Sequence, residues 1–227
     1  MKAKQQKRRF IMSTKPRVIG FLGLDSYDLI LFLAKYLEHL GQNVLIVDDT
    51  KLGRLSYCIP APVTLNPDRD LIRYNNIDFI RHNYEAIQSE EYTYILIDFG
   101  WDISQDVLHS CELLYIITDL QQQNMGHILN MNLLHISVYI LLKNFFHMNN
   151  IKNVKDYFAE NHFNFKKCYV FPTTIKDMEN MVMLQYNHVI KLHKISKQLR
   201  SLIHTILIDN LEFDEKEVLR IKRFHKT

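Results

Sequence analysis

Four stretches of the chain are apolar at almost every position: Arg17 to Gly23 (RVIGFLG), Asn43 to Asp49 (NVLIVDD), Tyr92 to Asp98 (YTYILID) and Leu113 to Thr118 (LLYIIT). Short runs of this kind, without the alternation of a half-exposed strand, predict strands buried on both faces. Between the first two, Asp25, Ser26, Tyr27 and Asp28 supply cap-type residues, and Leu29, Leu33, Tyr36, Leu37 and Leu40 recur at helical spacing until Gly41 ends the pattern. Strand, helix and strand within about thirty residues make a βαβ unit, so the crossover is expected to be right-handed and the strands parallel.

The pattern continues with variations. Leu52 to Asp70, which holds Pro60, Pro62 and Pro67, reads as a loop, and Ile77 to Ile80 as a short strand. A short helix is expected around Ser104 to Ser110 and another near Asn124 to Leu134, with further strands at Ile136 to Leu142 and at Cys168 to Phe171, before Pro172. From Ile175 to Phe224 the apolar spacing is mostly helical, through Met178, Met181, Val182, Leu184, Tyr186, Val189 and Ile190 and then Ile195, Leu199, Leu202, Ile203 and Ile206. Apolar strands alternating with helices predict an α/β fold: an open, mostly parallel sheet with helices on both faces. Such sheets bind ligands beyond the carboxyl ends of their strands. The positions to inspect are therefore Gly23–Asp28, Asp48–Lys51, Asp98–Asp102, Thr118–Gln123 and Lys143–Phe146.

Composition changes this picture mainly at the chain ends. A length of 227 residues with 47% hydrophobic content suits one domain with a real core. Lys2, Lys4, Lys7, Arg8 and Arg9 lie in Met1 to Ile11 without an acid, so the net charge of +3 less these five leaves −2 for the rest. The expected organisation is a basic N-terminal tail over residues 1–15, an α/β domain over 16–210 and a C-terminal helix or tail over 211–227. Nucleic-acid binding is not expected from a basic character confined to a tail. Cys58, Cys111 and Cys168 are widely spaced and form no CxxC pair, which fits a reducing cytoplasm rather than a disulfide scaffold or a cysteine-rich metal site. No apolar stretch approaches the ~20 residues of a membrane span, and no signal-peptide core follows the basic residues.

The segment VIGFLGLDSYDLILFLAKYLEHLGQNVLIVDD resembles the opening of MinD/ParA-type P-loop ATPases of the SIMIBI class, in which strand, phosphate loop, helix and strand follow in that order. YTYILIDFGWD is similar to the Walker B strand of that family, with Asp98 at the metal-side acid position, and SCELLYIIT is similar to the next strand. The correspondence covers Arg17 to about Thr118 and is weak from there to Phe146. It implies a MinD/ParA topology and a nucleotide site at Gly23, Asp25, Ser26, Asp28, Asp48, Asp98 and Gly100.

The chemistry of that site is missing from the residues themselves. A phosphate loop needs glycines so that backbone N–H groups can close around phosphates, a lysine to meet their charge, and Ser or Thr to hold magnesium. Gly23-Leu24-Asp25-Ser26-Tyr27-Asp28 offers one glycine, no lysine before Lys35, and two acids at the helix start, with Asp25 expected as N-cap and Asp28 near the third position. A triphosphate there would compete for the same N–H donors and face like charges, at on the order of 1 to 4 kcal/mol per pair. Asp48 and Asp98 then read as inherited structure.

Other constellations add little. None of the eleven histidines forms an HExxH motif, and the pair His188 and His193 has no obvious carboxylate partner, so no metal is expected. No GxSxG elbow is present and no cysteine has an evident base partner, so nucleophilic hydrolysis is not expected. Glu217 to Phe224 mixes apolar and basic residues at helical spacing and loosely resembles a membrane-binding terminal helix of MinD-like proteins, but Val218, Leu219, Ile221 and Phe224 make a small apolar face.

The resemblance implies a catalytically degenerate protein without ATP or magnesium that acts through protein partners, as the TadZ and CpaE groups do for pilus and secretion machinery. A homodimer through the loops around Gly23, Asp49 and Gly100 is expected, in the cytoplasm or drawn by a partner to the inner face of the membrane. Two alternatives stay open. One is an active ATPase whose anionic substrate is held by Lys51, Arg54 or Lys143; the other is a DNA- or membrane-surface adaptor that uses the basic ends.

Overall fold

The computed structural model describes residues 15–61, 64–66, 69–82, 89–101, 108, 110–119, 121–131, 133, 136–143 and 151–221. Its strands are β1 (Arg17–Gly23), β2 (Val44–Asp48), β3 (Ile72–Tyr74), β4 (Ile77–Arg81), β5 (Tyr94–Gly100), β6 (Leu113–Thr118), β7 (Ser137–Lys143) and β8 (Lys167–Phe171). They form one eight-stranded sheet in the order β3-β4-β2-β5-β1-β6-β7-β8. Every neighbouring pair is parallel except β3 and β4. That hairpin turns through Asn75 and Asn76, both at positive φ, the geometry two-residue hairpin loops require. The open α/β sheet expected from the apolar runs is the observed one.

The helices are α1 (Tyr27–His39), α2 (Gln122–Leu129), α3 (Ile151–Glu160), α4 (Ile175–Asn187), α5 (Lys197–Thr205) and α6 (Glu215–Ile221). Because side chains alternate along a strand, each central strand feeds two cores. Ile19, Phe21, Ile46, Leu96 and Tyr115 face one core with α1, α4, α5 and α6. Leu22, Val47, Ile97, Ile116 and Leu142 face the other with α2 and α3. The long helical reach from Ile175 is broken at His188, whose left-handed φ of 51° caps α4, and α5 starts afresh where the Ser196 side chain accepts from the Leu199 N–H.

Two elements were not foreseen. β3 has three residues, one of them the exposed Arg73, and α3 buries Val154 and Phe158 in an otherwise polar run. The helix expected at Ser104 to Ser110 falls largely outside the described residues, as do Met1 to Thr14 of the basic tail and Lys222 to Thr227 of the C-terminus. In α6, Val218 and Ile221 are buried in the α1 core and Leu219 is exposed, so two of the apolar residues of the loosely membrane-like terminal segment pack into the protein's own interior, while Phe224 lies outside the described residues. Among the described residues no helix is long and apolar enough to cross a membrane.

A polar clamp lies in this core. Phe21, Tyr115, Tyr139 and Tyr169 stack across β1, β6, β7 and β8 with ring centroids 5.5, 5.3 and 6.2 Å apart. The π-helical turn Ile206–Asn210 brings Asn210 beneath them. Its carbonyl oxygen accepts from the Tyr169 hydroxyl at 2.9 Å, and its amide donates to the Tyr115 hydroxyl at 2.7 Å. Asn210→Ala would leave both hydroxyls without this partner in a dry site, and is expected to lower stability by about 2–3 kcal/mol in urea unfolding.

Candidate functional site

The carboxyl ends of β1, β2 and β5 meet at a cleft of about 310 Å3, lined by Gly23–Asp25, Thr50–Leu52, Arg54 and Asp98–Trp101. Gly23, Asp25, Asp98 and Gly100 line one cavity, whereas Ser26, Asp28 and Asp48 are buried and do not line it.

The connection from β1 to α1 is short. Gly23 turns with φ 109°, and a Cβ on it would sit 2.2 Å from the Ile117 carbonyl oxygen, so only glycine fits. The next N–H, of Leu24, still pairs with β6 by donating to Ile117 O at 2.9 Å. Asp25 and Ser26 alone remain before α1 begins at Tyr27. A ring of N–H groups around a phosphate needs a longer, glycine-bearing loop.

Ser26, not Asp25, is the N-cap residue of α1, and it makes no side-chain cap hydrogen bond. The expected role of Asp25 is corrected by the fold: Arg54 comes close enough for an ion pair across the cleft, which holds the carboxylate away from the helix N–H groups. The Asp25 carbonyl oxygen accepts instead from the Lys143 ammonium, which enters from the end of β7. Asp28, second in α1, is 1% exposed. Its Oδ1 lies 3.5 Å from Lys143 Nζ, itself 6% exposed, and neither carboxylate oxygen makes a hydrogen bond. Lys143, one of the cations considered for an anionic substrate, is thus turned inward and engaged by the protein itself.

Asp48 and Asp98 stand side by side in the β2–β5 register. Asp48 organises the loop that follows it: Oδ1 accepts from the Thr50 N–H at 3.1 Å and hydroxyl at 2.6 Å, and Oδ2 from the Ser56 N–H at 3.3 Å. Asp98 accepts from the Gly100 N–H at 3.1 Å. Burial pushes the Asp98 carboxyl up to about 7; Asp48 adds to the rise, and the Gly100 N–H, Arg54 and Lys143 oppose it. A strand-end aspartate that titrates near neutrality was not evident from sequence, because the cause is depth rather than motif.

The remaining candidates are placed as follows. Burial pushes the thiols of Cys58 and Cys111 up to about 12 and that of Cys168 to about 11, the reverse of an activated nucleophile. Among the described residues no group of three or more His, Cys, Asp or Glu side chains could hold a metal ion. Asp119 Oδ1 accepts from the Gln121 N–H and the Asn124 amide, at 2.9 and 2.8 Å, and so shapes the start of α2. Asp102 and residues 144–146 lie outside the described residues.

No family model and no curated protein matches the sequence. Solved structures do. The ParA family ATPase from Chlorobium tepidum TLS superposes with a TM-score of 0.64 at 17% identity, covering 87% of this chain and 100% of that one. A chain of the MinC:MinD cell division protein complex of Aquifex aeolicus gives 0.56 at 14% identity, over 92% of this chain and 96% of that one. Apo McdA of Cyanthece gives 0.58 at 12% identity, over 89% and 99%. The fold of this chain is the MinD/ParA-type α/β fold.

Proposed function

We propose that the chain is a non-catalytic MinD/ParA-fold protein that acts through protein contacts, in the localisation or assembly of a secretion, pilus or related cell-envelope machine. The observation that carries the non-catalytic part is the two-residue connection of Asp25 and Ser26, backed by a carboxylate and an ammonium that neutralise each other under the α1 N-terminus. Phosphate charge would have to displace Asp25 from Arg54 and approach Asp28, with no glycine loop to wrap it. The assembly role rests on the resemblance to the degenerate TadZ and CpaE groups, and partnership is a use of the fold illustrated by the complex of MinD with MinC.

Calorimetry of the full chain with ATP and magnesium is expected to show no saturable heat below millimolar nucleotide, and phosphate release no rate above buffer. Micromolar binding of magnesium ATP would overturn the reading. The observation that favours the enzyme alternative is Asp98 at about 7 in an open cleft, suited to a base. Phosphate release that disappears in Asp98→Asn would establish it.

A further inference from the structure

The sheet ends at β8 on the side away from β3, and among the described residues no strand pairs with its outer edge. Alternate residues of a strand turn their N–H and C=O groups to opposite sides, so part of the Lys167–Phe171 backbone faces outward. One face of β8 is covered: Tyr169 and Phe171 join the α1 core, and α5 packs against the strand. The other face sets half-buried Cys168 and Val170 on the core that α3 enters.

At the start of this strand lies a groove of about 520 Å3, built by the return of the chain from α3. His162, at φ 56°, turns the chain, and the Phe163 N–H donates to the Phe158 carbonyl oxygen at 2.9 Å. Phe163 and Phe165 pack on Phe158 with ring centroids 5.0 and 5.6 Å away, and with Cys168 they give the groove a half-buried apolar floor. Lys155, Lys166 and Lys167 line it as well, all exposed, and no carboxylate does; Asp156 and Glu160 of α3 lie outside the lining. Lys167 pairs with Asp209 at 3.0 Å, whereas the ammonium groups of Lys155 and Lys166 make no ion pair or hydrogen bond among the described residues.

We infer that β8 and this groove bind an extended acidic segment of a partner protein, which adds to the sheet as a further strand and seats an apolar side chain on Phe163 and Phe165. The inference rests on the proposed protein-contact role and gives it a surface and a partner chemistry. Three features select this occupant. Outward backbone groups of an edge strand are satisfied by another strand, a ladder that a nucleic acid does not offer. An apolar floor beside three ammonium groups suits a peptide that carries both an apolar anchor and carboxylates. The chain itself offers the wrong charge: the open edges of a second copy are β3, with exposed Arg73, and β8 with its own lysines. Its ends are no better, since Met1 to Ile11 holds five cations and no acid, and Lys222 to Thr227 holds Lys222, Arg223 and Lys226 and no acid.

Fluorescence anisotropy of the full chain is to be measured with a short labelled peptide of alternating valine and glutamate, with phenylalanine at its centre. Binding is expected to saturate in the micromolar range at low salt and to weaken as salt rises. Proline at two successive positions of the peptide, which removes ladder donors but no charge, should weaken binding at least tenfold. Lys155→Glu with Lys166→Glu should do the same, whereas Lys176→Glu with Lys216→Glu, an equal change of charge on α4 and α6, should stay within twofold of the parent. All four side chains are exposed, so the thermal melts of both variants should match the parent. Bound peptide should slow hydrogen exchange at the outward amides of Lys167–Phe171 at least tenfold. No saturable binding, binding indifferent to proline or to the groove variant, or unaltered exchange in β8 overturns the inference. Tighter binding of single-stranded DNA than of the peptide overturns it in favour of a nucleic-acid surface. A dimer whose β8 amides are already protected without peptide overturns it in favour of a second copy. A chain that binds neither the peptide nor magnesium ATP overturns this inference alone; one that binds magnesium ATP and not the peptide overturns the proposed function with it.

Discussion

Lys143→Met is expected to destabilise the protein by about 3–5 kcal/mol, the usual result of removing one partner of a buried ion pair. Asp28 would be left as a buried carboxyl group at 1% exposure with neither its cation nor a hydrogen bond to either oxygen, and the Asp25 carbonyl would lose its donor. The loss reflects an abandoned acid more than the worth of the pair. Adding Asp28→Asn removes that acid, and the double variant should recover to within about 1–2 kcal/mol of the parent, so the two effects are strongly non-additive. Urea unfolding of the parent, both single variants and the double variant measures the cycle. Additive losses, or a Lys143→Met cost below about 1 kcal/mol, would show that the pair does not neutralise the helix terminus as described.

Asp98→Asn should have the opposite sign, and its size should depend on pH. Folding raises this carboxyl from an ordinary 3.8 to about 7, so the folded protein holds the proton more tightly than the unfolded chain. From about pH 4 to 7 the unfolded chain is already ionised while the folded protein is not yet so, and stability falls as pH rises. Above pH 7 both states are charged and the cost is complete, about 4 kcal/mol at roughly 1.4 kcal/mol per pH unit. Below about pH 4 both are protonated and the cost is absent. Asparagine keeps an oxygen to accept from the Gly100 N–H without the charge. The variant should therefore be more stable than the parent at pH 8, by up to about 4 kcal/mol, with the gain shrinking to nothing near pH 4. A gain independent of pH would mean that Asp98 is not the titrating group.

These two residues also show why the site was only half legible. Asp25 and Asp28 stand out in sequence because acids occupy a helix start where the resemblance leads one to look for glycine and lysine. The cation that answers Asp28 lies 118 positions from the residue whose carbonyl it also meets. Its place at a strand end marks Lys143 for inspection, but nothing local names its partners; it meets them because β7 neighbours β6, which neighbours β1. Arg54 reaches Asp25 because Asp48 folds the following loop back through Thr50 and Ser56. The Asp25 cap expectation failed for that reason: a competing charge across the cleft outbid the helix N–H groups.

The fold followed a similar division. β1, β2, β5 and β6 are legible because a strand covered on both faces must be apolar throughout, and α1 because a helix facing one core repeats with its own period. β3 is too short to show a period, and the break after α4 rests on His188, a residue with no particular turn signal. The chain alone thus determines its layers and the absence of a glycine–lysine phosphate loop, since periodicity and caps are written within a few neighbouring residues. Which charges face one another, how far Asp98 is desolvated and which edge of the sheet stays open emerge only when distant strands assemble, because ion pairing and burial depend on distance through space rather than along the chain.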